Sequence, residues 1–314
     1  MPGIGLLLSP HAKRQARDPG LADRLSRQLG DDGVVRTARS LDELGRVVED
    51  FRKNGVDLVA CAGGDGTNHV TISQLVEAYG NSKLPYFAML RGGTMNTVAN
   101  SFGIPPKKPE KLLAMYKQAY GRRALMPLRF VEPNLLLVGE HCGFIFGTGA
   151  IYGFIAEYNR REDRSAAWAA EVLARAIASA TITGTHVKRV AQRWEGEVRF
   201  DDGSAFPDRD YFSVGASTCG QIGLGFKPFY RSWELPDRFH MLGIHSSAGG
   251  FIRGLPRVWL GKTLGGHKTY EKVAARAVLV PRHGRVPYTL DGDVYEHVGE
   301  LVVRCGPRIR IVIP

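Results

Sequence analysis

The chain lacks several features that would assign it to common classes of protein. Its four cysteines are scattered over 314 residues without Cys-x-x-Cys spacing, which argues against a zinc site and a disulfide scaffold. No stretch approaches the roughly 20 apolar residues of a membrane-spanning helix. The apolar run after Met1 covers only Ile4 to Leu8, too short for a secretory leader. We therefore expect a cytoplasmic protein, and a peripheral contact at the inner face of the membrane remains open.

Several well-known site signatures are also missing. The chain has no Gly-x-x-x-x-Gly-Lys-Ser/Thr loop, so a nucleotide site of the Walker type is excluded. The glycines between Gly147 and Gly153 are spaced one residue too far apart for the dinucleotide-binding fingerprint. His240 and His245 lack the accompanying Glu of a zinc protease.

Acidic residues are outnumbered, with 31 Asp and Glu against 42 Lys and Arg and a formal charge of +11. This excess favours anionic partners such as nucleotides or acidic lipid surfaces; we expect no nucleic acid. Phe251, Arg253, Arg257 and Trp259 share one short segment, whose mixture of aromatic residues and cations suits peripheral membrane contact. The same spacing also suits a helix whose apolar residues face a core.

Length and hydrophobic content (44%) predict two domains. Residues 1–124 alternate strand-like and helix-like runs, which predicts a parallel α/β nucleotide-binding domain. Residues 125–314 carry short alternating runs separated by glycine, proline and aspartate, which predicts a mainly antiparallel, sandwich-like β domain. Two helices are expected within it, at 163–180 and 251–264. The segment from about 306 to 314 is expected to return to the first domain.

A glycine-rich loop, Ala62 to Thr67, follows the strand-like run Asp57 to Cys61 and precedes a helix-like run from His69 to Ala78. Ligands of open α/β sheets bind at the carboxyl ends of strands, and glycines leave backbone N–H groups open to an anion. Asp65 inside the loop would repel a phosphate unless a divalent cation bridges them or it orients a hydroxyl. The loop predicts a nucleotide phosphate with magnesium; a tight turn is the alternative.

A second loop of this kind, Arg91 to Thr97, follows the apolar run Tyr86 to Leu90. Thr94 has two interpretations, as a phosphate contact or as the cap of the next helix. Asn96 offers both a donor and an acceptor to a sugar or a phosphate. Two such loops on neighbouring strands strengthen the nucleotide hypothesis.

Together these loops resemble the catalytic domain of the diacylglycerol kinase and sphingosine kinase superfamily of lipid kinases, especially its bacterial soluble members. Tyr288 to Asp293 resembles the family's Asp-Gly-Glu motif, and Val302 to Pro314 is similar to its closing strands. Gly143 to Glu157 and Cys219 to Phe226 sit where the family places glycine-rich strand segments of its second domain. The resemblance covers nearly the whole chain.

The resemblance implies ATP and Mg²⁺ as cofactors and a lipid alcohol, diacylglycerol or a sphingoid-type lipid, as the acceptor. It implies that Asp293 is the catalytic base, that Asp291 assists through metal or hydrogen bonds, and that Asp65 engages magnesium or the phosphates. An Asp-Gly pair is also a strong hairpin signal, so the late motif has a structural interpretation as well. The residues implied to bind the nucleotide are Ser9, Gly63, Gly64, Asp65, Gly66, Thr67, Gly93, Thr94 and Asn96.

The chain also departs from the family pattern. Val70 and Thr97 stand where acidic residues are usual, Asp293 is one methylene shorter than Glu, and a metal-binding segment usual in bacterial relatives is reduced to Asp237. Three functions therefore remain open. They are a lipid kinase, a kinase of a soluble substrate similar to NAD kinase, and a nucleotide-binding relative without catalysis.

Overall fold

The computed structural model describes residues 3–10, 12–80, 82–161, 165–181, 192–265 and 268–314. It divides the chain into two compact units, residues 1–133 with 307–314 and residues 134–306. No helix in these described ranges is long and apolar enough to cross a membrane.

The first unit alternates strands and helices. Its strands are β1 (Ile4–Leu8), β2 (Gly33–Thr37), β3 (Leu58–Ala62), β4 (Tyr86–Met89) and β5 (Phe130–Val131), with β18 (Ile311–Val312) from the end of the chain. Its helices are α1 (Lys13–Arg17), α2 (Leu21–Leu29), α3 (Leu41–Lys53), α4 (Asp65–Tyr79), α5 (Thr97–Ser101) and α6 (Pro109–Gly121).

These strands form one sheet in the order β2-β1-β3-β4-β18-β5, parallel except for the last pair. Strands β1 and β3 are buried along their whole length, as expected of a parallel sheet covered by helices. The chain leaves β1 for β2 on one side and returns to β3 on the other. The carboxyl ends of β1 and β3 therefore flank the point where strand order reverses, which is where such sheets bind ligands.

The boundary between the units lies at 133/134, nine residues beyond the predicted one. The reason is β5, whose Phe130 and Val131 pair with Val312 and Ile311 and so join the first sheet. Val312 and Ile311 belong to β18, which pairs in parallel with β4 through Phe87.

The second unit contains two antiparallel sheets of six strands. The first has the order β10-β9-β14-β17-β6-β7 and the second β13-β12-β11-β8-β15-β16. The strands are β6 (Asn134–Val138), β7 (His141–Gly143), β8 (Ile145–Gly149), β9 (Trp194–Phe200), β10 (Asp210–Tyr211), β11 (Ser213–Ser217), β12 (Phe239–Ile244), β13 (Thr269–Ala274), β14 (Arg276–Pro281), β15 (Arg285–Leu290), β16 (Asp293–Val298) and β17 (Leu301–Arg308). The described part of this unit also contains the helices α7 (Ala150–Asn159), α8 (Ala166–Thr181) and α9 (Ala248–Trp259).

Both sheets of the second unit contribute to one apolar cluster. Val198 and Leu279 enter it from the first sheet, and Phe146, Val214 and Met241 enter it from the second. Burial of alternate residues along β9 fits a strand with one face against this core. The expected combination of a parallel α/β part followed by an antiparallel part is confirmed.

Three expectations about the second unit are corrected. Gly143 to Glu157 is strand only as far as Gly149, because Ala150–Asn159 is the helix α7. Cys219 to Phe226 forms a loop after β11 rather than a strand. The helix predicted at 251–264 spans Ala248–Trp259 instead, with Ser247 accepting the Gly250 N–H at its start. The helix predicted at 163–180 is described from Ala166, and Asp163 lies outside the described residues.

Candidate functional site

Three loops meet beyond the carboxyl ends of β1, β3 and β4. The backbone nitrogen of Gly92 donates to the Gly63 carbonyl at 2.7 Å, and the Gly92 carbonyl accepts from the backbone nitrogen of Arg14 at 3.2 Å. Ser9, at the end of β1, accepts from the backbone nitrogen of Ala12 at 2.9 Å and so turns the chain into α1. The structure thus brings together all the residues of the first unit that the sequence predicts to bind a nucleotide.

The glycines of the two glycine-rich loops are required where the loops touch each other. A Cβ on Gly93 would lie 2.5 Å from the Cα of Gly64, and a Cβ on Gly64 would lie 2.8 Å from the Cα of Gly93. A Cβ on Gly63 would lie 2.2 Å from the Cβ of Thr67. The sequence analysis gave these glycines one role, to leave backbone N–H groups open to an anion. The structure adds a second role, because the absence of a Cβ lets the two loops pack against each other.

Asp65 holds the two loops together. Its Oδ2 accepts from the backbone nitrogen of Thr97 at 2.8 Å, and its Oδ1 accepts from that of Val98 at 3.2 Å. These N–H groups belong to the first turn of α5, where a carboxylate is favoured by the open donors and the helix dipole. Since the bonds use the backbone at position 97, they tolerate the departure from the family's usual aspartate there.

Helix α4 begins at Asp65, four residues earlier than predicted. Its N-cap is Gly64, so no side chain caps its first turn. The first bond along the helix runs from the Asn68 nitrogen to the Gly64 carbonyl, which leaves the earlier N–H groups, including those of Gly66 and Thr67, outside the helical pattern. Gly66 and Thr67 are partly exposed. An anion at this helix start would meet open donors and the positive end of the dipole.

The loop before α5 is closed by Asn96. Its side-chain Oδ1 accepts from the Gly93 nitrogen at 3.2 Å, and its Nδ2 donates to the Gly93 carbonyl at 2.8 Å. Asn96 is the N-cap of α5 and has a positive φ of 46°, a conformation that asparagine tolerates better than most residues. Thr94 is exposed and is not the cap, so its capping interpretation is wrong and its contact with a ligand stays a prediction.

Arg91 is a buried cation of the site that the motif pattern did not single out. Its guanidinium donates to the Ile104 carbonyl at 2.9 Å and to the Asn100 Oδ1 at 2.7 Å, which fixes the second loop to the end of α5. Burial lowers the pKa of Arg91, and the nearby charge of Asp65 acts in the opposite direction. The sequence signal that could have identified Arg91 is its position directly before Gly92 and Gly93.

Asp291 and Asp293 lie in the second unit, at the hairpin between β15 and β16. Leu290 pairs with Asp293, and the two residues between them have positive φ angles of 51° at Asp291 and 97° at Gly292. This is the primed two-residue turn that Asp-Gly favours. The hairpin interpretation of the motif is therefore confirmed, and it is compatible with a further role for either carboxylate.

The two carboxylates of this hairpin have different surroundings. Asp291 Oδ1 accepts from the backbone nitrogens of Phe144 at 3.1 Å and Ile145 at 2.9 Å, so Asp291 fastens the hairpin to the start of β8. Asp293 is partly exposed at the first position of β16. Burial and the negative charge of Asp293 both raise the pKa of Tyr295, which stacks on His141 with ring centroids 4.1 Å apart.

Magnesium is compatible with Asp65 through the mode in which one carboxylate and the substrate's phosphates share the ion. A carboxylate oxygen can accept more than one interaction, so the bonds of Asp65 to the Thr97 and Val98 nitrogens are compatible with a shared ion. Asp291 is a poorer candidate, because Oδ1 already accepts two N–H groups. Asp237 accepts from Asn134 at 3.1 Å, and the described ranges contain no group of three or more His, Cys, Asp or Glu side chains arranged to hold a metal.

Comparison with known proteins gives a consistent family assignment. Residues 5–125 match the family model of the diacylglycerol kinase catalytic domain. The chain is 36% identical over 80 residues to the probable lipid kinase YegS of Escherichia fergusonii, covering 24% of this chain and 26% of that protein. It is 37% identical over 81 residues to the protein of the same name from Shigella flexneri, covering 26% of this chain and 27% of that protein. These matches span about a quarter of the relatives' length.

The fold is shared over a much longer span. A crystal structure described as a diacylglycerol kinase from Bacillus anthracis str. Sterne superposes with a TM-score of 0.64, covering 99% of this chain and 97% of that one at 13% identity. At this identity the similarity concerns the fold alone.

Proposed function

Because the chain belongs to the diacylglycerol kinase and sphingosine kinase superfamily, we propose that it transfers the γ-phosphoryl group of ATP to a hydroxyl of a lipid alcohol. The acceptor is diacylglycerol or a related sphingoid-type lipid. The observation that carries the proposal is the pair of glycine-rich loops joined by the Asp65 carboxylate at the uncapped start of α4. Phosphoryl transfer depends mainly on positioning and on neutralising charge, and this arrangement offers both.

The nucleotide phosphates would lie against the start of α4. Gly63, Gly64, Gly66 and Thr67 form the first loop, and the exposed Thr94 with Asn96 lies on the second. The N–H groups of the first turn of α4 would donate to phosphate oxygens. Ser9 lies at the end of β1, the neighbouring strand, which supports a contact with the same nucleotide.

Magnesium bound at Asp65 would neutralise charge on the transferring phosphates. Asp65 also holds the start of α5, so the same carboxylate would couple loop geometry to phosphate binding. Arg91 contributes a positive charge near Asp65. Its hydrogen bonds to Ile104 and Asn100 fix its position.

Asp293 is the proposed base for the acceptor hydroxyl. Asp293 is partly exposed at the first position of β16, and the Oδ1 of Asp291 accepts the Phe144 and Ile145 N–H groups. A carboxylate within hydrogen-bond reach of a hydroxyl accepts its proton as the phosphoryl group arrives. The role proposed for Asp291 is to hold the hairpin that presents Asp293.

The experiment is incubation of the purified protein with γ-labelled ATP, magnesium and separate pools of diacylglycerol, sphingoid base and NAD. Label in a lipid product supports the proposal, and label in NAD replaces it with the soluble-substrate function. ATP binding without label in any pool would indicate a relative without catalysis, which the departures at Val70 and Thr97 leave open.

A further inference from the structure

The second unit exposes large apolar side chains on two segments that lie against the same loop. Trp233 is 52% exposed and Leu235 50%, on the segment before β12; Trp259 is 57% exposed and Leu260 63%, at the end of α9. We call these four residues the aromatic patch. Large apolar side chains grouped on a surface mark an interaction site, whereas scattered ones do not.

One loop supports both tryptophans. A Cβ placed on Gly220 would lie 3.8 Å from the Trp233 indole nitrogen, and one placed on Gly225 would lie 3.4 Å from the Trp259 indole nitrogen. Directly after this loop, which includes Gly220 and Gly225, the Lys227 backbone nitrogen donates to the Val258 carbonyl at 3.1 Å. This bond joins the chain to the end of α9. Both halves of the patch therefore lie beside residues 220–227.

The apolar residues of α9 divide between the core and this surface. Phe251 packs on Phe212 with ring centroids 5.0 Å apart, and Val258 is buried in the same small cluster. Phe251 is therefore partly buried against this cluster, as the core alternative predicts, and its contact with a membrane stays a prediction. Trp259 and Leu260 point away from that cluster and remain exposed.

Cations surround the patch, and acids are nearly absent from the chain that builds it. No Asp or Glu occurs between Tyr211 and Trp233, or between Asp237 and Glu271. Lys227, Arg253 and Lys262 are exposed, and none of them is in an ion pair with any part of the chain that the structure describes. The one acid beside Trp233, Glu234, is paired with Arg231 at 2.5 Å.

We infer that the aromatic patch and its cations dock the protein on the surface of an anionic lipid bilayer. Tryptophan prefers the boundary between headgroups and acyl chains, where its ring is buried and its N–H stays hydrated. Lysine and arginine beside it meet anionic headgroups. An apolar protein partner would leave Lys227, Arg253 and Lys262 unpaired, whereas an anionic bilayer neutralises these cations and accepts the tryptophans together. Docking extends the proposed function, since a lipid acceptor resides in such a bilayer, but binding itself requires no catalysis.

Tryptophan fluorescence of the unaltered protein gives a direct test. The chain has four tryptophans, and Trp168 and Trp194 are buried, so surface quenchers report mainly Trp233 and Trp259. With vesicles of phosphatidylcholine and phosphatidylglycerol, the emission is expected to shift to shorter wavelength and to be quenched by brominated acyl chains. Unchanged emission, together with failure to sediment with these vesicles, overturns the inference.

Variants then locate the binding surface. Trp233→Ala with Trp259→Ala is expected to weaken sedimentation with anionic vesicles at least about tenfold. Lys227→Gln and Lys262→Gln are each expected to weaken it about fivefold, and added salt should do the same. Leu41→Ala and Lys83→Gln alter exposed residues of the first unit and serve as matched controls. An equal loss in variants and controls, at unchanged unfolding midpoints, would contradict the assignment.

Activity separates this inference from the proposed function. If the protein is a lipid kinase, the double tryptophan variant should retain activity on lipid dispersed in detergent and lose it on vesicles. Anionic vesicle binding by a protein that phosphorylates no lipid would uphold the docking surface and reject the kinase proposal. Lipid phosphorylation without any vesicle binding would uphold the kinase proposal and reject the docking surface.

Discussion

The carboxylate of Asp65 accepts a hydrogen bond from the backbone nitrogen of Thr97 at 2.8 Å, across 32 positions of sequence. With the second bond from Val98, it joins the start of α4 to the start of α5. The acid of the first glycine-rich loop thus has a structural role that exists without any ligand. A magnesium role for Asp65 would be added to this one.

Replacing Asp65 with Asn should reduce both stability and nucleotide affinity. The amide has one acceptor, so one of the two N–H groups would face an NH₂ group instead. We expect a loss of about 1–3 kcal/mol in the free energy of unfolding, measured by urea denaturation, and weaker ATP binding in calorimetry. Asp42→Asn changes an exposed aspartate in the first turn of α3 and should leave ATP binding unchanged. Equal behaviour of both variants would argue against the joining role.

The contact between the glycine-rich loops predicts a large effect for Gly93→Ala. The added Cβ would lie 2.5 Å from the Cα of Gly64, and backbone on backbone cannot be relieved by rotating a side chain. The loops should separate, with a loss of more than about 2 kcal/mol in unfolding free energy and loss of ATP binding. Gly121→Ala is the control, because its Cβ would meet nothing at the end of α6. That variant should gain about 0.5–1 kcal/mol.

The two acids of the hairpin should respond differently to substitution. Asp293→Asn is expected to lower kcat by about 10²–10⁴ while leaving ATP affinity and the unfolding midpoint near those of the wild type. Asp291→Asn should lower the midpoint, because its carboxylate accepts the Phe144 and Ile145 N–H groups. Asp293→Glu, which restores the side chain usual in the family, should keep activity. Unchanged turnover in Asp293→Asn would remove this residue from the mechanism.

Glu271 predicts a loss of stability in acid. Burial raises the pKa of Glu271, but the His240 ring 3.7 Å away, the hydrogen bond from the Tyr230 hydroxyl and the influence of Thr263 outweigh burial and bring the pKa to about 2. A carboxyl whose pKa is lowered by folding stabilises the protein above its unfolded pKa, and this stability is lost as the pH falls toward the folded value. Between about pH 4.5 and 2 we expect a loss of about 1–3 kcal/mol attributable to this group. Glu271→Gln should show a flatter dependence in urea titrations over this range. A slope equal to that of the wild type would contradict the assignment.

Local pattern was sufficient where helix ends carry their own signals. Helix α3 (Leu41–Lys53) carries such signals, because Ser40 accepts the Glu43 N–H at its start and basic residues fill its last turn. Strands β1, β3 and β4 were predicted from apolar runs within one residue of their observed ends. The grouping of the nucleotide-loop residues followed from where those strands end.

Other features depend on contacts between distant residues. Helix α7 was interpreted as strand because Ala150 to Asn159 is apolar on most sides and follows a glycine-rich strand, so it shows no clear helical period. The start of α4 was missed since glycines disfavour helix, whereas the N–H bonds to Asp65 from α5 support this conformation. The sequence indicated only the Trp259 part of the aromatic patch. Trp233 was not associated with it, because the two residues are 26 positions apart.

The position of β18 has a consequence for how the protein is made. Ile311 and Val312 fill the place between β4 and β5, so the sheet next to the glycine-rich loops remains open until these two residues have been translated. During synthesis, the nascent chain must hold β4 with an unpaired edge while the 221 residues between Met89 and Ile311 emerge from the ribosome. An exposed edge invites pairing with other chains. Ribosome stalling or a premature stop codon shortly before Ile311 would therefore yield an aggregation-prone product rather than a shortened but competent nucleotide-binding domain.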